Sequence, residues 1–265
     1  MKMFSGLIRH RDLVWQLTKR DVVGRYRGST VGLAWSLFHP ILMLGVYTFV
    51  FSGVFKARWG TSAAESTADF AVVLFAGMIV HSLFAECVNR APTIVVANAN
   101  FVKKVVFPLE VLPWVTMGSA LFHAGAALVV LMAVQLWSSL ALPATIVFFP
   151  LVLAPFLVLT IGVSWFLAAT GVYFRDLAHA TGVVTTVMLF LSPVFYSVSS
   201  LPERYQPLLK MNPLTFIIEQ SREVLIWGRS PDWTGLLAYS GASLIVAWAG
   251  LGWFRKARRG FADVL

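Results

Sequence analysis

The amino-acid sequence predicts an all-α integral membrane protein with six transmembrane helices. Of its 265 residues 58% are hydrophobic and 12% charged, against about 25% charged in a soluble domain. The charges leave long uncharged windows at 28–55, 70–85, 111–174, 177–202 and 233–254. A helix needs about 20 mostly apolar residues to cross the hydrocarbon core. Disorder is excluded by the hydrophobicity, and a disulfide scaffold by the presence of one cysteine, Cys87. The net charge of +9 in so apolar a chain points to anionic lipid or an orientation signal rather than to nucleic acid.

The first element, residues 9–28, places Asp12, Gln16, Lys19 and Arg20 on one helical face and Leu13, Val14 and Leu17 on the other. This is the pattern of an amphipathic helix in the membrane interface. A plain basic anchor for lipid headgroups fits the spacing equally well. Val22, Val23 and Tyr26 interrupt the stripe, so the helix either breaks there or is covered by protein. No cleavable signal precedes it, because Lys2, Arg9 and Arg11 break up the N-terminal stretch. The first span, 31–55, is therefore expected to act as the uncleaved insertion signal.

The remaining spans fall at 69–89, 112–136, 144–172, 178–198 and 233–254. The longest window divides at Gln135 to Pro143, where small polar residues and a proline make a turn. Six spans put both termini on one side, and that side carries fifteen of the 21 Lys and Arg. The positive-inside rule makes it the cytoplasm.

Two loops exceed a minimal turn. On the basic side, 88–104 mixes apolar and basic residues, which suits either a docking element or a simple orientation signal. On the opposite side, Asn212 and Pro213 supply an N-cap followed by proline at the first helical position. Leu214, Ile217, Ile218 and Leu225 then share one face, with Glu219, Arg222 and Glu223 expected on the other. Two small helices folded back into the outer leaflet follow, serving as a lid or as interfacial packing.

Ionisable groups are scarce within the spans. Glu86 lies there, with His39, His81 and His123, each of the three expected to be a packing residue. No metal-ligand spacing and no G-x-x-x-x-G-K-[ST] phosphate loop are present, so no metal or cofactor is assigned to this chain and ATP hydrolysis would need another one. Aromatic residues are abundant: Trp35, Phe38, Tyr47, Phe49, Phe51 and Phe55 in span one, and Phe190, Phe195 and Tyr196 in span five. Tyr47, Phe51 and Phe55 recur at i, i+4, i+8. Such a face suits a sugar ring, and equally suits packing.

Four stretches then carry a family resemblance: Leu17 to Pro40 (LTKRDVVGRYRGSTVGLAWSLFHP), Asn100 to Pro113 (NFVKKVVFPLEVLP), Val172 to Leu177 (VYFRDL), and Leu191 to Tyr196 (LSPVFY) continuing to Asn212 to Glu219 (NPLTFIIE). Together they resemble the membrane-spanning subunits of ABC-type polysaccharide exporters, the Wzm-like type-2 permeases for O-antigen, capsule or teichoic acid. The resemblance implies a homodimer in the bacterial inner membrane. It also implies two copies of a separate P-loop subunit that binds ATP and Mg, and a lipid-linked polysaccharide as cargo, O-antigen being favoured. It implies that 88–104 docks on that subunit through Asn98, Asn100, Phe101, Lys103 and Lys104. The helices at 200–228, with Asn212, Pro213, Ile217 and Glu219, become an outer gate. Tyr47, Phe51, Phe55, Phe190, Phe195 and Tyr196 become the substrate path, and Arg25, Arg27 and Arg175 the entrance for a lipid pyrophosphate. With no appended domain, recognition of the glycan's end falls to the ATPase partner. The rivals are a type-2 permease for drugs or small lipids and an integral-membrane transferase, for which Glu110, Asp176 and Asp263 give no paired-carboxylate spacing.

Overall fold

The structure, a computed structural model, describes residues 9–54, 67–103, 107–139 and 142–265. Phe55 and Lys104 lie outside the described residues. No strand occurs among the described residues, and five helical segments are long and apolar enough to cross a membrane. The chain runs through α1 (Arg11–Arg25), α2 (Trp35–Tyr47), α3 (Thr67–Ile94), α4 (Ala99–Lys103), α5 (Leu112–Ser139), α6 (Phe149–Tyr173), α7 (Leu177–Leu191), α8 (Gln206–Lys210), α9 (Pro213–Leu225), α10 (Trp233–Ala257) and α11 (Phe261–Val264).

Helix α1 lies against α5. Leu13, Val14 and Leu17 pack on the core, Thr18 and Val22 are buried, and Asp12, Gln16, Lys19 and Arg20 are exposed. The interruption at Val22 is thus resolved as burial under protein rather than a break. The approach is close: a Cβ on Gly118 of α5 would sit 2.7 Å from Thr18 Oγ1.

The bundle is built around α3 and α6, with α10 packed along α6. Small residues set that last contact. A Cβ on Gly162 would lie 2.6 Å from the Ala247 Cα, and a Cβ on Gly250 would strike the Gly162 carbonyl. Two helices without side chains at the crossing approach backbone to backbone, which is how helices gain dispersion contact where lipid tails are as apolar as the helices themselves. Gly171 likewise leaves room for the Pro92 carbonyl of α3.

Three boundaries differ from the sequence reading. Span two runs on to Ile94, so the first turns of the expected 88–104 loop are still helix. Span one changes at Tyr47 into a π-helix over Thr48–Val54, so the α-helical i, i+4, i+8 register does not continue to its end. The fifth span is cut short. Helix α7 stops at Leu191, and its 15 residues reach about 22 Å at 1.5 Å per residue, short of the roughly 30 Å hydrocarbon core. Pro193 is the cause: it disfavours the helical region for the residue before it, and Ser192 is extended, at φ −101° and ψ 151°.

The α6–α10 crossing yields a prediction. Gly250→Val should lower the unfolding temperature in detergent, the overpacking costing about 1–3 kcal/mol, whereas Gly252→Ala, with nothing within 4 Å of its added carbon, should change it little.

Candidate functional site

At the basic end of the bundle, two ion networks join α1, α3 and α5. Arg90 makes a forked contact to Asp21, Nη1 to Oδ2 at 2.9 Å and Nη2 to Oδ1 at 2.7 Å, and Ser119 Oγ donates to Asp21 Oδ2 at 2.6 Å. Burial pushes the Asp21 carboxyl up, but the bonds from Arg90 and Ser119 and the charges of Arg90 and Arg25 outweigh it. The group is held below the ordinary carboxylate value. Beside it, Arg25 bonds Glu86, and His123 Nδ1 lies 3.0 Å from Glu86 Oε2. A carboxylate only accepts, so His123 donates there. His123 therefore belongs to an ion network, beyond the packing role expected of it. His81 keeps such a role, its Nε2 lying 3.0 Å from the Thr185 carbonyl.

Above these pairs opens a cavity of about 680 Å³ between span one, α3 and α5. Arg25, Glu86 and His123 stand with Tyr26 and Ser29 at one end, and Tyr47 and Phe75 line it further along. Only two of its lining residues, Arg25 and Glu86, carry full charges, and they face each other.

The other candidate residues are dispersed. Phe51 stacks on Phe195 with ring centroids 5.9 Å apart, Phe195 on Phe190 at 5.8 Å, and Phe51 leans on Phe70 at 5.6 Å. Spans one and five therefore meet through the aromatic residues chosen from sequence, but within one subunit. Tyr196 donates its hydroxyl to the Phe190 carbonyl at 2.7 Å. Tyr47, Phe51, Phe195 and Tyr196 are half-buried, while Trp35, Phe38, Phe49 and Phe190 are exposed. Phe51 leans toward α3, Phe38 and Phe49 are exposed, and Trp35 lines the cavity beside α3 and α5. Regular spacing is also what a packing face produces.

Arg25, expected at a pyrophosphate entrance, is committed to Glu86, whereas Arg27 and Arg175 are exposed. In the loop after span two, the Asn98 amide donates to the Ile94 carbonyl at 2.8 Å, Phe101 stacks on Phe107 at 4.4 Å, and Asn100 is exposed. Lys103 ends α4. A small cleft joins this loop to α1 through Leu17, Arg20, Asp21, Arg90, Asn98 and Phe101. Helix α11 packs on α4, and Arg258 Nη2 donates to the Phe107 carbonyl at 3.2 Å. Glu110 anchors the same region by accepting from Arg255 at 3.1 and 3.2 Å.

At the opposite end, Asn212 caps α9 by accepting from the Leu214 amide at 3.0 Å, while its own amide donates to the Leu191 carbonyl and Ser192 Oγ. Pro213 opens α9, Ile217 is fully buried and Glu219 is half-buried. Arg222 departs from expectation: instead of facing out with Glu219, it is 1% exposed. Its guanidinium donates to the carbonyls of Val73 at 3.0 Å, Pro193 at 2.6 Å and Val194 at 2.9 Å. The break after α7 frees two of those carbonyls, and a buried acceptor without a donor is costly. Gly77 makes the room, since a Cβ there would lie 2.8 Å from Arg222 Nη2. No periodicity signals this, because the demand comes from another helix.

The fold and these sites define a polytopic helical membrane protein: a bundle with a basic helix, α1, packed on α5 and two short helices, α8 and α9, at the far end. The chain belongs to the ABC-2 type transporter family, whose model matches residues 12–226. It is 26% identical to the O-antigen export system permease protein RfbA of Myxococcus xanthus, over 99% of each chain. It is 21% identical to the polysialic acid transport protein KpsM of Escherichia coli, over 95% of each. The daunorubicin resistance ABC transporter permease protein DrrB1 of Streptomyces coeruleorubidus is 26% identical over 80% of this chain and 75% of its own.

Two tests follow from buried Arg222 and half-buried Arg90. Arg222→Lys should be destabilising by about 3 kcal/mol, because one ammonium cannot serve three carbonyls held by a fork, while Arg229→Lys should be silent; unfolding in detergent reads both. A double-mutant cycle of Asp21→Ala with Arg90→Ala should give a coupling of about 0.5–3 kcal/mol.

Proposed function

We propose that the chain is the membrane subunit of an ATP-driven exporter of lipid-linked polysaccharide, O-antigen being the favoured cargo. It pairs with a second copy and with two copies of a P-loop ATP-binding subunit, which holds the ATP and Mg. It sits in the bacterial inner membrane with both termini in the cytoplasm. Near full-length similarity to an O-antigen export permease carries the cargo assignment. The bias of Lys and Arg toward α1, the α3–α5 connection and the C-terminus supports the orientation.

Pairing with a second copy is supported by the surface. Trp35, Phe38, Leu42, Val46 and Phe49 of span one and Val183, Val187 and Phe190 of α7 are exposed large apolar residues. A corridor between two such faces offers aromatic contact to sugar rings without fixing a register. The exposed arginines 27 and 175 suit the pyrophosphate, since guanidinium forks bind phosphate oxygens two at a time. Coupling to the ATPase runs through 88–104, with Asn100 and the lysines 103 and 104 as contacts. Because α1 and this loop share a cleft, a push on one is passed to the other.

A second reading, export of a small hydrophobic compound, is favoured by the likeness to DrrB1. The deciding experiment expresses the chain with the ATP-binding subunit encoded beside it in cells lacking their own copy. Surface appearance of the lipid-linked glycan supports polysaccharide export; drug efflux without glycan supports the second reading. In the same cells, Phe49→Ala with Phe190→Ala should cut glycan export at least about tenfold, roughly 1.4 kcal/mol of lost contact, with the assembled complex intact. Phe51→Ala should instead lower its stability.

A further inference from the structure

We propose that the cavity between span one, α3 and α5 is a binding site for one zwitterionic membrane phospholipid, which acts as a removable wedge holding span one away from the rest of the bundle. It is distinct from the corridor proposed between two copies and does not depend on which cargo that corridor carries.

Size and length fix the class of occupant. The volume of about 680 Å³ falls within the roughly 300–1,000 Å³ of ligand sites. Along span one the lining extends from Trp35 to Tyr47, and along α3 from Glu86 to Phe75. At about 1.5 Å per residue these runs measure roughly 18 and 16 Å, about half of a 30 Å hydrocarbon core. The cavity is therefore one leaflet deep. Its walls include Met43, Phe75, Met78, Ile79, Leu83 and Ala124, which suit a hydrocarbon chain, with Ser36, His39 and Ser82 interspersed.

Charge fixes the headgroup. The polar end carries one cation and one anion, Arg25 and Glu86, in contact with each other. A pyrophosphate, with two or more negative charges, would have to detach Glu86 and then sit beside it. A zwitterion matches the pair without net charge: its phosphate takes the place of Glu86 on Arg25, and its ammonium meets the Glu86 carboxylate, which His123 at 3.0 Å and Arg90 at 3.6 Å keep in position. Tyr26 and Ser29 add hydroxyls at the same end. The lipid comes from the leaflet at the basic end of the bundle, cytoplasmic in the orientation proposed above.

The consequence lies in span one. It is the least enclosed of the crossing segments, and it faces α3 and α5 across this cavity. Lipid in the cavity sets the separation of span one from α3; its departure lets span one close inward. The Arg25–Glu86 contact seen here is the arrangement the ions adopt with each other, ready to be exchanged for a headgroup.

The test uses the full chain, co-purified with its ATP-binding subunit and exchanged into nanodiscs of equimolar phosphatidylethanolamine and phosphatidylglycerol, with tightly held lipid counted by native mass spectrometry after release into detergent. About one phosphatidylethanolamine per subunit is expected. Ala124→Trp, which fills the cavity, should reduce that retention about tenfold while the oligomer stays intact. Glu86→Gln should abolish the preference for phosphatidylethanolamine over phosphatidylglycerol. A photoreactive side chain at position 43 should label phospholipid, and Ala124→Trp should prevent the labelling. Equal retention of the two lipids by the unaltered chain overturns the proposal, as does undiminished retention in Ala124→Trp. Labelling at position 43 of a lipid-linked glycan in place of phospholipid also overturns it, and assigns the cavity to cargo.

Discussion

The contact of Asp21 and Arg90, reinforced by Ser119 and flanked by Arg25, Glu86 and His123, is the constraint around which the basic end of the molecule is arranged. Carboxylates and guanidinium groups at the edge of a hydrocarbon slab are costly unless paired and hydrogen-bonded. Three elements supply the partners: the interface helix α1, the end of α3 and the start of α5. Separating α1 from the bundle would strip Asp21 and Arg25 of their partners and Arg90 of its forked contact. The interface helix is thereby bound to the same helix end that leads into the 88–104 loop, so the two surfaces facing the cytoplasm in the proposed orientation form one mechanical unit.

Away from that end, cohesion comes from shape. Glycines 162, 250 and 171 let α6 meet α10 and α3 through their backbones, making a tight inner wall. Span one has no equivalent. It carries Pro40 inside α2, loosens into a π-helix at Thr48, and meets the segment after α7 through Phe51 and Phe195. A rigid wall beside a loosely held helix is suited to alternating between two packings, the way such transitions generally proceed. At the far end, Arg222 ties α9 to the interrupted end of α7 and to α3, so these three elements are held together.

Much of this was legible in the residues. The charge gaps located the membrane helices because hydrocarbon excludes charge from any lipid-facing stretch. The N-cap at Asn212 and the buried row Leu214, Ile217 and Ile218 followed from local capping chemistry and helical period. The stripe Leu13, Val14 and Leu17 of α1 followed in the same way. The failures share one origin. Arg222 was set on a polar face because its periodicity says so, yet the carbonyls released by Pro193 claim it. Tyr47 and Phe51 pack partly within the subunit, a contact that an aromatic stripe in sequence does not distinguish from the lining of a path.

The sequence by itself determined that this chain lives in a bilayer, how its helices are ordered and which end is basic. Those properties are sums over single residues, each weighed against lipid or water. Only the tertiary structure decided which arginine is buried, which aromatic residues of span one are exposed, and that a leaflet-deep cavity stands beside a matched pair of charges. Each of these depends on groups from separate helices meeting in space, and no pattern along one helix records its neighbours.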